Sequence, residues 1–252
     1  MKILAIANQK GGVGKSTLCV HLAYAAREAG LRVLLVDFDK QGSLSLSFQP
    51  TGTARGIVAS QLFNAAAAGQ PEQIEAGLSI IRADSGLLTI DKAENQVIRQ
   101  PGAALRKFAA DFDLCLIDTP PLLGVRLMGA LAAADYVLTP VSVGLYELAG
   151  VGDLLQTIHV VRTQGFNPSL KHLGILPVKT NSRSSDERAG LDSLRERFGR
   201  VILDSMLPER AAVRKAVSLR RPVWTATKGQ GHLIAAQEWR AACNEILGRM
   251  AK

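Results

Sequence analysis

Residues 8–17 read NQKGGVGKST, and an apolar run at residues 2–7 leads directly into them. Residues 16–29 then have a helical pattern that is closed by a glycine, and a second apolar run follows at residues 31–36. An apolar strand, a glycine-rich loop and a helix, in that order, hold a phosphate chain against the positive end of the helix. The segment therefore predicts a strand–loop–helix–strand opening with a phosphate-binding loop.

The rest of the chain continues to alternate between apolar runs and helical stretches. Strands are predicted at residues 78–82, 114–117, 136–140, 173–176 and 201–203, and helices at residues 147–162, 185–198 and 233–249. Strands that are apolar on both faces and separated by helices favour a mostly parallel sheet that is covered on both sides. We therefore expect an α/β fold, a doubly wound sheet with helices on both faces, in a single domain over residues 1–252. Residues 41–53, rich in Gly, Ser and Thr, predict a loop near the ligand edge.

Length and composition exclude several classes of protein. With 252 residues, 47% of them apolar, the chain can bury a core, which excludes a disordered chain or a small disulfide-stabilised domain. Cys19, Cys115 and Cys243 are far apart and form no CxxC pair, so we expect neither a disulfide nor a zinc site, in keeping with a reducing compartment. No apolar run approaches the roughly 18 residues that span a membrane. We expect a cytoplasmic protein.

The formal net charge of +8 is unevenly distributed along the chain. Residues 205–232 hold one acidic residue, Glu209, and six basic ones: Arg210, Arg214, Lys215, Arg220, Arg221 and Lys228. This stretch therefore carries +5 of the +8, which favours a polyanion or an anionic membrane surface as partner. A solvated helix face would have the same composition, so charge alone leaves both interpretations open.

The glycine-rich loop predicts binding of a nucleoside triphosphate rather than a dinucleotide. Its glycines let the backbone wrap a phosphate chain, Lys15 can reach the β- and γ-phosphates, and Ser16 can ligate Mg²⁺. A dinucleotide fingerprint would need glycine or alanine at the position of Thr17. The common pattern GxxxxGK[ST] also fails, since its first glycine falls on Gln9, but the loop has a second lysine, Lys10.

The string ANQKGGVGKST at residues 7–17 resembles the deviant Walker A box, KGGxGK[ST], of the ParA/MinD ATPases, and is similar to the ParA branch. The resemblance implies a P-loop NTPase fold with ATP and Mg²⁺ as cofactors. It implies that Lys10 reaches the ATP of a second subunit in an ATP-dependent homodimer, where a cation in trans would offset charge developing during phosphoryl transfer. The nucleotide contacts it implies in this loop are Lys10, Gly11, Gly12, Val13, Gly14, Lys15, Ser16 and Thr17.

Two acidic motifs extend the resemblance. Residues 36–43, VDFDKQGS, are similar to the family motif DxDxQGN, with serine in place of the usual asparagine. The resemblance implies that Lys10, Lys15 and Asp39 are catalytic residues and that Asp39 orients the attacking water. It implies that Asp37 supports the metal. Asp118, which follows LCLI and precedes TPP, resembles the Walker B aspartate that holds Mg²⁺ through water. An aspartate that ends a strand is also often only a helix cap.

The second half of the chain resembles the family with departures. Residues 140–150 match a PVxxEYxALEG segment, but Gly144 stands where a glutamate is common. The resemblance implies that Asn181 and Pro208 contact the nucleotide base, and that a basic set binds DNA. That set is Arg183, Arg210, Arg214, Lys215, Arg220 and Arg221.

The function implied is an ATPase, slow until stimulated, that partitions a plasmid or chromosome. Its partners would be non-specific double-stranded DNA and a ParB-like protein, which implies association with the nucleoid. ParA-like positioning of a carboxysome or chemotaxis cluster is the alternative. A MinD-like membrane ATPase would need a detachable C-terminal amphipathic helix. The apolar stripe of Trp239, Cys243, Ile246, Leu247 and Met250 is more typical of a core helix, so we expect no stable membrane association.

Overall fold

The computed structural model describes residues 1–50, 56–142, 147–180 and 185–251. Eight strands lie in this part of the chain: β1 (Lys2–Ile6), β2 (Val33–Asp37), β3 (Glu72–Glu75), β4 (Leu78–Ile81), β5 (Leu114–Asp118), β6 (Tyr136–Ser142), β7 (Lys171–Thr180) and β8 (Leu207–Pro208). They form one sheet in the order β3-β4-β2-β5-β1-β6-β7-β8, in which every neighbouring pair is parallel except β3 with β4.

The helices alternate with these strands along the chain. They are α1 (Lys15–Glu28), α2 (Ser43–Leu46), α3 (Leu87–Ile90), α4 (Gln100–Arg106), α5 (Val125–Ala133), α6 (Glu147–Thr163), α7 (Ser185–Phe198), α8 (Ala211–Ser218) and α9 (Gln230–Ala251). Within the described ranges, short 3-10 turns lie at Ala59–Phe63, Asn95–Arg99 and Gly199–Val201.

The sheet has a hydrophobic core on each of its two faces. Along β1, Leu4 and Ile6 join the core that contains residues of α1, α8 and α9. Ile3 and Ala5 point to the other face and join a core with residues of α4, α5 and α6. Successive residues of a strand point to opposite faces, so a strand covered on both sides must be apolar throughout. The expected doubly wound, mostly parallel α/β fold is confirmed, whereas the single domain over residues 1–252 stays a prediction.

One expected strand does not form, and two observed strands are not predicted. Residues 201–203 do not form a strand: Gly199–Val201 is a 3-10 turn, and Ile202 makes an isolated bridge to Ile175. Ile202 and Leu203 are nevertheless buried, and a short apolar run does not reveal whether its residues reach the core from a strand or a turn. Strands β3 and β8 are not predicted, because β3 is a polar edge strand and β8 has only two residues.

The topology brings the sequence motifs together at one edge. Asp118 lies beside Ile6 in the β1–β5 register and beside Asp37 in the β2–β5 register. The glycine-rich loop leaves β1 at this same carboxyl edge, where open parallel sheets bind their ligands.

Helix α9 packs into the core as expected. Trp239, Cys243, Ile246 and Met250 are buried, and Leu247 packs against the same cluster. None of the helices in the described part of the chain combines the length and apolar character that crossing a membrane requires.

Candidate nucleotide-binding site

The glycine-rich loop takes a shape that few residues other than glycine adopt. Gly12 and Gly14 have φ angles of 74° and 87°, in the left-handed region that is strained for side chains with a Cβ. Gly14 directly precedes α1, so the loop ends at the amino terminus of that helix. A helix amino terminus attracts anions, since its first backbone N–H groups have no partner within the helix.

Lys15, the first residue of α1, lies inside the loop. Its side-chain Nζ donates hydrogen bonds to the carbonyl oxygens of Asn8 and Lys10, both at 3.1 Å. Burial lowers the pKa of Lys15, and the charges of Asp118 and Asp39 act in the opposite direction. The two carbonyls are neutral, so an anion bound in the loop would stabilise this buried cation.

Two polar side chains anchor the loop directly before Lys10. Asn8 donates from Nδ2 to the carbonyl oxygen of Pro140 (2.6 Å) and accepts at Oδ1 from the backbone N–H of Lys10 (2.8 Å). Gln9 donates from Nε2 to Oγ1 of Thr157 on α6 (3.1 Å). Lys10 itself is exposed. The backbone that carries this lysine is therefore fixed to β6 and α6, while its side chain is at the surface.

Ser16 and Asp118 have the donor set of a magnesium site. The hydroxyl of Ser16 donates to Oδ2 of Asp118 at 2.5 Å, and Oδ1 of the buried Asp118 has no hydrogen-bond partner among the described residues. Burial, followed by the charge of Asp37, raises the pKa of Asp118 to about 8. A divalent cation would compensate such a carboxylate and would find two oxygen ligands here.

The described residues contain no cluster of three or more His, Cys, Asp or Glu side chains that could hold a metal by itself. Mg²⁺ commonly keeps several waters and takes other ligands from substrate phosphates.

Asp37 and Asp39 have different surroundings, although they are two residues apart. The buried Asp37 accepts at Oδ2 from the N–H (2.8 Å) and hydroxyl (2.7 Å) of Ser45, and at Oδ1 from the N–H of Asp39 (3.1 Å). Burial raises the pKa of Asp37 to about 6, and the Ser45 hydrogen bonds act against this. Asp39 is half-buried and accepts from the N–H of Gln41 (3.0 Å). Asp37 thus holds the loop that presents Asp39.

A cavity of about 600 Å³ runs from the glycine-rich loop to β8 and α8, which is a normal volume for a small-molecule site. Of the predicted nucleotide contacts and catalytic residues, it brings together Gly11, Gly12, Val13, Gly14, Lys15, Ser16, Thr17, Asp39 and Pro208. Asn181 lies outside the described residues. The same wall contains Arg210 and Arg214, which the sequence resemblance assigns to DNA.

The end of the cavity at α8 also has an apolar part, and sequence reasoning missed most of it. Its wall includes Val178, Val213, Val217 and Trp239 from three separate elements. Val213 and Val217 are four residues apart on α8 and share a face, which is the one sequence signal that could have indicated them. A planar, mostly apolar group such as a nucleotide base fits such a wall.

Four of the six predicted DNA-binding residues fall into two groups. Arg210 donates to both carboxylate oxygens of Glu238 (2.6 and 2.5 Å), and Arg214 pairs with Glu209 (2.6 Å). Lys215 and Arg220, in contrast, are exposed, and neither makes an ion pair within the described ranges.

Of the other two basic residues, Arg221 is half-buried. Arg183 lies outside the described residues, as does Gly144.

The segment after α8 is fastened to α1. His21, fully buried, bonds through Nδ1 to the carbonyl oxygen of Thr17 (2.8 Å) and accepts at Nε2 from the N–H of Val223 (3.1 Å). Trp224 donates from Nε1 to Glu28 (2.8 Å). The basic residues at the end of α8 are therefore connected to the helix that starts at the phosphate loop, a connection that the sequence did not reveal.

These features define a class before any relative is considered. A parallel α/β sheet, a glycine-rich loop between β1 and α1, and acidic residues at the ends of β2 and β5 are the fold of a P-loop NTPase.

Comparison with known proteins identifies the family. The AAA domain family matches residues 1–172. The chain is 35% identical to protein IncC of Escherichia coli over 99% of its own length and 70% of IncC. It is 32% identical to the chromosome-partitioning ATPase Soj of Thermus thermophilus over 98% of its own length and 96% of Soj. The chain belongs to the ParA/MinD-type partition ATPases.

A solved structure is similar over the full length. It is a Mycobacterium smegmatis protein named cobyrinic acid a,c-diamide synthase, with bound ADP and magnesium. It is 30% identical, with a TM-score of 0.78, and the match covers 100% of this chain and 96% of that one.

Proposed function

We propose that this protein is an ATP-dependent DNA-partitioning ATPase. It binds ATP and Mg²⁺ at the carboxyl edge of the sheet, dimerises on ATP, binds double-stranded DNA without sequence readout and hydrolyses ATP slowly until a ParB-like protein stimulates it. In the cell it would be cytoplasmic and associated with the nucleoid.

The observation that carries the proposal is the different placement of the two lysines. Lys15 is buried within its own loop, whereas Lys10 is exposed on a backbone that Asn8 and Gln9 hold in place. A surface lysine on a rigid support beside a phosphate site can serve the site of a second subunit. The ADP and magnesium bound in the similar Mycobacterium smegmatis structure support the nucleotide and the metal, whereas the synthase activity in its name is not carried over.

The residues divide the chemistry between them. Bound Mg²⁺ would neutralise charge on the phosphates, with Ser16 and Asp118 to hold it. Asp39 accepts a hydrogen bond from the attacking water and orients it, and Asp37 keeps Asp39 in position. Lys15 and the partner's copy of the exposed lysine offset the charge that develops on the transferred phosphoryl group.

We assign DNA binding to the exposed cations of the basic segment, residues 205–232. Lys215 and Arg220 are unpaired within the described ranges and so are available for phosphates, whereas Arg210 is committed to Glu238. An ATP-driven dimer doubles the number of cations that meet the DNA, so nucleotide state alone can control affinity through valency.

The test compares Lys10→Ala with Lys171→Ala, an exposed lysine at the amino end of β7. Both variants should bind ATP like the wild type. Only Lys10→Ala should lose ATP-dependent dimerisation, measured by light scattering, and ATP hydrolysis. Normal dimerisation and hydrolysis in Lys10→Ala would refute the proposal.

Two further measurements separate the alternatives. Sedimentation with anionic liposomes and ATP would reveal a MinD-like membrane ATPase, which the buried stripe of α9 disfavours. Stimulation by the protein encoded next to this chain distinguishes cargoes: a small DNA-binding protein supports partition, and a shell or receptor protein supports positioning of a protein assembly.

A further inference from the structure

Arg126 is a buried arginine that the proposed chemistry does not use. It is the second residue of α5, and its side chain is 3% exposed. A cation in the first turn of a helix is opposed by the helix dipole, and a buried charge is costly unless it is fully paired. The position therefore demands specific partners.

The guanidinium of Arg126 joins two distant segments. Its Nε and Nη2 donate to the two carboxylate oxygens of Asp91, at 2.9 and 2.7 Å, in a bidentate pair. Its Nη1 donates to the backbone carbonyl of Phe38 at 2.9 Å. Asp91 directly follows α3, and Phe38 directly follows β2. The Arg126 side chain thus connects the start of α5 to Phe38, the residue between Asp37 and Asp39.

The carbonyl of Phe38 belongs to the peptide unit that carries Asp39. The N–H of that same peptide donates to Oδ1 of Asp37 (3.1 Å), and the preceding N–H, that of Phe38, donates to the carbonyl of Asp118 (2.9 Å). Both ends of the peptide are therefore held by side chains, one of which is Arg126. Without that bond, the plane of the peptide could turn and move the carboxylate of Asp39.

We propose that Arg126 is a positioning residue for hydrolysis: its bonds to Asp91 and to the Phe38 carbonyl fix the Phe38–Asp39 peptide and so aim the Asp39 carboxylate. This inference rests on the proposed ATPase function. Arg126 touches no nucleotide-facing wall of the cavity, so its effect belongs to the reaction step and not to nucleotide affinity.

The experiment compares Arg126→Met and Arg126→Lys with Arg106→Met. Arg106 also bonds to one aspartate, Asp135, and to one backbone carbonyl, that of Met1, but far from the site. Arg126→Met should lower kcat by about 10- to 100-fold, the loss that a small misplacement of a reacting group causes. Its affinity for a fluorescent ATP analogue should stay within about threefold, a change of under 1 kcal/mol. A lysine can bond to only some of the acceptors that Arg126 uses, so the kcat of Arg126→Lys should lie between those of the wild type and Arg126→Met.

A second measurement does not depend on hydrolysis. Hydrogen exchange of the backbone amides of residues 38–41 should accelerate in Arg126→Met and stay unchanged in Arg106→Met. If the amides exchange as in the wild type, or if kcat and nucleotide affinity fall equally, the inference is wrong. If the wild type hydrolyses no ATP but the amides respond, the proposed ATPase function fails and the positioning of Asp39 stands.

Discussion

The two ends of the nucleotide cavity are built from the chain in different ways. The phosphate end is built mostly from one continuous loop, in which Lys15 bonds to carbonyls five and seven residues earlier, and Asp39 joins it from the end of β2. The base end combines β7, β8, α8 and α9, and is held by an ion pair between Arg210 and Glu238, 28 residues apart. Residues that act within one loop are adjacent in the sequence, so a sequence motif can identify them. Whether a surface cation is free to bind DNA depends on its ion-pair partners, which the sequence does not identify.

The largest expected effect tests the phosphate end. Asp39→Ala should lower kcat by at least about 100-fold, the usual contribution of a positioned acid or base, and should trap an ATP-bound dimer on DNA. Steady-state hydrolysis and size-exclusion chromatography with ATP measure the two effects. Asp39→Asn keeps an oxygen that can accept from the N–H of Gln41, so it separates the charge of the carboxylate from the shape of the loop. Wild-type turnover in both variants would exclude Asp39 from the reaction.

A smaller effect tests the base end. The double variant Lys215→Ala with Arg220→Ala should reduce the salt dependence of DNA binding, the slope of log K against log salt, by about 2 per protomer. Arg210→Met should leave that slope unchanged, because its cation is already paired with Glu238. Fluorescence anisotropy over a salt series measures both. An equal loss of slope in Arg210→Met would mean that the ion pair opens to bind DNA.

Much of the fold followed from the sequence because strands buried on both faces have to be apolar. The bounds of α7 agree with the predicted helix at residues 185–198, and the ends of β1, β5 and β6 differ from expectation by a few residues at most. Strand β8 could not be predicted, since two residues that include a proline have no periodicity. Its position depends on pairing with β7.

The parts of the candidate site that lie in continuous sequence motifs could be predicted, and the parts that come from distant residues could not. Gly11 to Thr17 and Asp39 line one cavity, and their roles there stay predictions. Two features were not predictable: the buried arginine on α5 that reaches the Phe38 carbonyl, and the histidine on α1 that fastens Val223. Both bonds join residues more than 80 positions apart, and neither side chain lies in a motif that would draw attention to it.

The smallest expected effect concerns how the two ends of the cavity are connected. His21 packs against the rings of Trp239 and Trp224, and burial lowers its pKa to about 4. Its folded pKa is below the unfolded value near 6.5, so the unfolded state binds the proton more readily. The contribution of His21 to the free energy of unfolding should therefore be fully present above pH 6.5 and decline as pH falls towards 4.

His21→Gln should remove about 1 kcal/mol of the stability loss between pH 6 and pH 5, as the linkage of one such group requires. Urea unfolding at both pH values measures it. His172→Gln is the matched control, since burial also lowers the pKa of His172 to about 4, and it should remove a similar share. Only His21→Gln should also weaken DNA binding, because His172 bonds to Thr139 and not to the segment after α8. Equal DNA affinity in the two variants would mean that the basic segment keeps its position without its bond to α1.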